Sequence, residues 1–118
     1  MSPEDHLLAV SQRSLHDGPL ELIRLCLFDW AVCAVAGSGE PVARILARDS
    51  DVSFANTALA YGTMGHALDY DDTHFDHIGH TSAVVMPAVL AAAGMAGTCD
   101  LGQVVEAALL GSEAAVRV

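Results

Sequence analysis

From Leu20 to Ala36 the chain carries apolar residues on almost every side of a helical projection: Leu22, Ile23, Leu25, Cys26, Leu27, Phe28, Trp30, Val32, Cys33 and Val35. A helix apolar nearly all round has no face to give to water and must be covered by other helices. This one feature sets the fold class. The stretch is no membrane span, because Glu21, Arg24 and Asp29 interrupt it. Ala83 to Gly97 is likewise too short and contains Pro87.

The rest of the chain supplies the covering elements. Asp17-Gly18-Pro19 reads as the start of the long helix, with proline near the first helical position, and Gly37-Ser38-Gly39 stops it. Pro41 to Arg48 suits a short amphipathic helix with Arg44 and Arg48 outward, and Asn56 can cap a helix running through Ala58, Leu59 and Met64 towards Leu68. Gly62 and Gly65 fall inside that helix, where each costs up to about 1 kcal/mol relative to alanine unless close packing needs it. An alanine-rich helix opens at Ser82 or at Met86-Pro87 and ends near Gly97. Asp100 with Gln103 has the form of a capping box and launches Leu101 to Val118. No segment alternates as a strand bounded by hairpin signals. The expectation is an all-α helical bundle, with residues 1–118 forming a single and incomplete domain: the last helix has no C-cap, and the first is too apolar for the few others to cover.

Chemistry concentrates in one polar interruption, Asp69 to Thr81, between two apolar helices. From His66 to Ser82 the chain places four of its six histidines and four aspartates. A polar cluster between buried helices is how an all-α protein builds a pocket mouth. At helical spacing His66 and Asp69 share a face, as do Asp69, Asp72 and Thr73. Such pairing can set a histidine tautomer for acid-base work, and crowded carboxylates raise one another's proton affinity. A solvated connecting loop would use the same residue types. Two further readings stand beside these. His74, His77 and His80, three residues apart, could hold zinc, although zinc histidines more often sit at i, i+4. Asp71 to Asp76 looks like the aspartate-rich magnesium motif of terpene synthases, but over six residues only, in a chain poor in aromatics.

Read together, Ala58-Leu-Ala-Tyr-Gly-Thr-Met-Gly-His-Ala-Leu-Asp-Tyr-Asp-Asp-Thr-His74 and His80-Thr-Ser-Ala-Val-Val-Met-Pro87 resemble the MmgE/PrpD family. That family includes 2-methylcitrate dehydratase, cis-aconitate decarboxylase and iminodisuccinate epimerase. Leu27 to Gly37 looks like its early buried helix, and Gly111-Ser-Glu113 to Arg117 like its G-x-E-x-x-x-R helix. Tyr61 stands where the family often has Asn. Thr81 stands where it usually has Pro, which loosens the backbone after His80. The resemblance implies the N-terminal part of a large helical domain in a homodimeric lyase or isomerase acting on small di- and tricarboxylates, without metal or other cofactor. It implies Asp69, Thr73 and His80 as catalytic residues: His80 as acid-base, Asp69 as its electrostatic partner, Thr73 as a hydrogen bond to a substrate carboxylate. Asp72 and His74 fall on the substrate-binding side, where with His66 they chiefly support the pocket.

Composition then sharpens the picture. The chain has 15 acidic residues, five arginines and no lysine, a net charge of −10, and 53% hydrophobic residues. It is too apolar for a disordered acidic tail and too acidic for nucleic acid or an anionic membrane surface. A tricarboxylate would meet carboxylates and neutral histidines here, so the cations that hold it belong elsewhere in the enzyme. The expectation is half a site, completed by the remainder of the enzyme or a second copy. The alternative is a catalytically silent helical module that assembles with a full-length relative or a partner chain. Cys26, Cys33 and Cys99 form no C-x-x-C pair and read as free thiols, and Met1 to Ser14 is no secretory signal, so a reducing cytoplasmic setting is expected.

Overall fold

The computed structural model describes residues 2, 5, 9, 17–48, 51–97 and 100–117. Cys99, Val118 and most of Met1 to Ser14 lie outside them. From Asp17 onward, among the described residues, five helices follow in order: α1 (Asp17–Gly37), α2 (Pro41–Leu46), α3 (Phe54–His66), α4 (Thr81–Ala96) and α5 (Leu101–Arg117). Among the described residues there is no strand, only an isolated antiparallel bridge between His74 and Gly79. The fold is all-α. No helix is long and apolar enough to cross a membrane among these residues.

The four long helices pack in a ring, α1 on α3, α3 on α4, α4 on α5 and α5 back on α1, with α2 resting on α3. Ile23, Trp30, Ala34, Val85, Met86, Val105, Ala108 and Leu109 form the core. On α1 the buried residues Ile23, Trp30, Cys33, Ala34 and Gly37 recur at three, four and seven, one helical stripe. The opposite stripe of Leu22, Leu25, Phe28, Val32 and Val35 stays exposed, Phe28 at 70% and Val35 at 76%. The expected all-round burial of α1 is therefore met on one face only. Its three partners occupy a single side, and none of α2 to α5 covers the other.

Two local expectations change. Ser53, not Asn56, is the N-cap of α3: its hydroxyl accepts the Asn56 backbone N–H at 3.2 Å, which places Asn56 inside the first turn. And α4 begins at Thr81, so Pro87 lies within it rather than at its start. Having no N–H, Pro87 leaves the Ala83 carbonyl without its helical donor. That oxygen faces α3 at Gly62, where an added Cβ would come within 3.0 Å. Other signals act as read. Gly97 ends α4 in the left-handed conformation with φ 71°, and Asp100 accepts the Gln103 N–H at 2.8 Å to start α5.

Candidate active site

The connection from α3 to α4, residues 67–80, is the long loop of the fold, and loops of this length are usually functional. Its course begins with a helix end. The Asp69 N–H bonds the His66 carbonyl at 3.0 Å, and Asp69 itself takes φ 57°, a left-handed conformation that aspartate tolerates. The chain thus reverses just after His66. Asp71 is folded underneath, with its side chain fully buried.

Small residues then bring the two helix ends together. Gly62 lets α3 approach α4, which sets His66 at the end of one helix beside His80 at the start of the next. Their rings meet edge to face with centroids 4.7 Å apart. Asp71 serves both. Its Oδ1 lies 2.9 Å and its Oδ2 3.2 Å from His66 Nδ1. His80 Nδ1 is 3.2 Å from the Asp71 backbone carbonyl and 3.4 Å from its Oδ2. On the far side of the same ring, His80 Nε2 stands 3.4 Å from Asp69 Oδ1, and the Asp69 side chain is largely exposed. Asp69 and His80 are therefore neighbours, joined through the loop rather than along a helix. The helical pairing of His66 with Asp69, and of Asp69 with Asp72 and Thr73, does not form, because α3 ends at His66.

The remaining candidates face another way. Asp72 turns to the start of α4, where it accepts the Ser82 backbone N–H at 3.2 Å and the Ser82 hydroxyl at 2.6 Å. Thr73 and His74 line a groove of about 860 Å³ together with Cys26, Asp72, Ser82 and Arg117. Arg117 donates to Glu113 Oε2 at 2.7 and 2.8 Å. The Cys26 thiol in this groove is pushed up to about 11 by burial, then by the Asp72 and Asp29 carboxylates. Burial, then Asp29, raises Cys33 as well. Both are free thiols.

The zinc and magnesium readings do not gather their residues. His74 uses its Nδ1 to accept the His77 backbone N–H at 3.2 Å, at the foot of an exposed turn closed by the His74 N–H on the Gly79 carbonyl at 2.9 Å. Asp71, Asp72 and Asp76 diverge: one is under the histidines, one on Ser82, one exposed beside the groove. A different set could hold a cation among the described residues. His66, Asp69, Asp71 and His80 each offer one ligand atom within 4.8 Å of the others. In the structure those atoms are already engaged with one another.

Two residues of consequence escape the sequence reading. Asp71 is one carboxylate among four, and helical spacing points to Asp69 instead. Arg117 lies 37 residues past His80, and only the fold carries it to the groove; its local signal is the G-x-E-x-x-x-R pattern from Gly111, in which it stands at i+4 from Glu113.

The sequence profile of the MmgE/PrpD N-terminal domain matches residues 38–118. The chain belongs to the MmgE/PrpD family. The matched residues hold the whole α3–α4 loop and both helices that position it, while all of α1 precedes them. Comparison with curated proteins and with solved structures gave no match.

Proposed function

We propose that the chain forms part of an MmgE/PrpD-type lyase or isomerase for small di- or tricarboxylates such as 2-methylcitrate or cis-aconitate, working by acid-base chemistry at His80. The observation that carries this reading is the line Asp71–His80–Asp69, in which one imidazole nitrogen is anchored and the other is left at an accessible carboxylate. Chemistry next to a carboxylate group requires a proton to be removed from, or delivered to, carbon, and a positioned imidazole is the side chain best matched to that near neutrality. Asp69 would stabilise the imidazolium or pass a proton to substrate. Thr73, exposed at the groove, would donate a hydrogen bond to a substrate carboxylate, with Asp72 and His74 on the same side. Among the described residues Arg117 is the cation nearest to this role, and its pairing with Glu113 leaves most of the substrate charge to be met by other parts of the enzyme or by a second subunit. A reducing cytoplasmic setting belongs to the same reading, supported by the two free thiols.

A second reading is favoured by one observation, the uncovered apolar stripe on α1. On it the chain is a silent helical module that assembles with a full-length relative. The two readings separate in one experiment. His80→Ala and Asp69→Ala in the active assembly, assayed on 2-methylcitrate and cis-aconitate, should lower kcat by roughly 10²- to 10⁴-fold. Turnover unchanged by both substitutions removes the acid-base assignment and leaves the assembly role.

A further inference from the structure

We infer that Asp71 is the positioning residue of this site: a single buried carboxylate residue that fixes the proton of both His66 and His80 on Nδ1 and so commits both Nε2 atoms to face outward. The inference rests on the proposed acid-base role of His80 and adds which nitrogen acts and what makes it act. An ionised carboxylate and a carbonyl oxygen are both acceptors only. His66 Nδ1 faces the Asp71 carboxylate at 2.9 and 3.2 Å, and His80 Nδ1 faces the Asp71 carbonyl at 3.2 Å with Oδ2 at 3.4 Å. Each Nδ1 must therefore carry hydrogen. In each neutral ring Nε2 is then the basic nitrogen.

Burial makes this arrangement firm. The Asp71 side chain is fully covered, whereas His66 and His80 keep about 48% and 28% of theirs exposed. Water cannot compete for the carboxylate, while both rings reach solvent. His80 Nε2 then stands 3.4 Å from Asp69 Oδ1, a contact that becomes favourable once Nε2 has gained a proton. When Nε2 takes a proton from substrate carbon, the C–H bond breaks, its electron pair stays on carbon, and the new N–H lies on the imidazolium. Asp71 and Asp69 flank that cation from opposite sides of the ring. His66, 4.7 Å away by ring centroids and on the same carboxylate, is held in the same sense and can act as a second proton-handling group beside His80.

His74 provides an internal contrast. Its Nδ1 accepts the His77 backbone N–H at 3.2 Å, so its own proton sits on Nε2. Two-bond proton–nitrogen correlation spectra of the 15N-histidine-labelled protein, recorded where the imidazoles are neutral, read these forms directly. His66 and His80 should show the Nδ1–H form and His74 the Nε2–H form. In Asp71→Asn, His66 should shift towards Nε2–H or a mixture, and His80 should shift less because the backbone carbonyl remains. Turnover of the active assembly should fall 10- to 100-fold in kcat with KM changed by less than threefold, the range typical of groups that orient a reacting side chain. Nε2–H on His80 in the unsubstituted protein overturns the inference, as does full kcat in folded Asp71→Asn. The spectra need no substrate, so the proposed reaction can fail on every carboxylate tried while the tautomers stand, and the reverse.

Discussion

The Gly65 backbone lies directly against the Trp30 indole, with the ring nitrogen where a Cβ would be. Trp30 is 5% exposed and sits in the core, so it has no room to retreat. This contact locks α3 onto α1, and α3 ends one residue later at His66. Gly65→Ala adds a methyl group to that contact. The gain in helix propensity, up to about 1 kcal/mol, opposes an overpacking cost of about 1–3 kcal/mol or more. The balance should be destabilising by about 1–2 kcal/mol, measured as a lower urea midpoint at unchanged slope. Equal or greater stability would mean that the helices separate at no cost.

Asp72 does for α4 what a cap does for any helix, but from ten residues away. It accepts both the backbone N–H and the hydroxyl of Ser82, a residue 2% exposed. Asp72→Ala leaves the Ser82 groups buried without that acceptor and should cost about 1–3 kcal/mol, whereas Asp72→Asn retains one acceptor and should cost about half as much. Because His80 immediately precedes α4, the alanine variant should also lose turnover through kcat. A variant that raises KM alone, with stability intact, would instead assign Asp72 to substrate binding.

The sequence makes the helices plain and the site only partly so. Leu20 to Ala36, Gly97 and Asp100 announce their roles because helix periodicity and capping are local effects. The neighbours of His80 are not local. They depend on Asp69 taking a left-handed backbone that turns Asp71 beneath the two rings, and nothing in residue spacing encodes that reversal. Asn56 fails as a cap for a related reason: Ser53 lies closer to the point where the chain leaves its extended conformation, with φ −75° and ψ 160°. The composition signalled a site short of cations, and the fold qualifies this by bringing Arg117 to the groove beside Thr73 and His74.

Cys26 should be a slow thiol. Burial and the neighbouring Asp72 and Asp29 carboxylates push it up to about 11. At pH 8 it should react with iodoacetamide far more slowly in the folded protein than after unfolding, with Cys33 slower still, as peptide mass spectrometry resolves for each. Asp72→Asn should speed the labelling of Cys26 more than that of Cys33. The stability consequence follows from the sign. The folded state favours the neutral thiol, so its contribution is whole below the ordinary value of 9.0 and is lost as pH rises towards about 11. Cys26→Ser should flatten the stability profile between those two values. A profile as steep in the serine variant as in the original chain would place the effect elsewhere.

Ile78 holds backbone strain beside the site. It takes φ 53°, a left-handed conformation in which a β-branched side chain is an outlier, while 88% of its surface is exposed. Its N–H bonds the His74 carbonyl at 2.8 Å and closes the turn that leads into His80. Strain of this kind costs about 1–3 kcal/mol, and so little of the side chain is buried that packing cannot offset it within the chain. Asparagine adopts the same conformation readily. Ile78→Asn should therefore raise stability by about 0.5–1 kcal/mol, seen as an increase in Tm of several degrees. If the exposed Ile78 and the neighbouring Phe75, which is 87% exposed, are covered in the active assembly, the same substitution should weaken that assembly while stabilising the isolated chain. Thermal unfolding of the chain and sedimentation of the assembly read the two effects separately. A lower Tm in the isolated chain would show that the isoleucine contacts outweigh the strain.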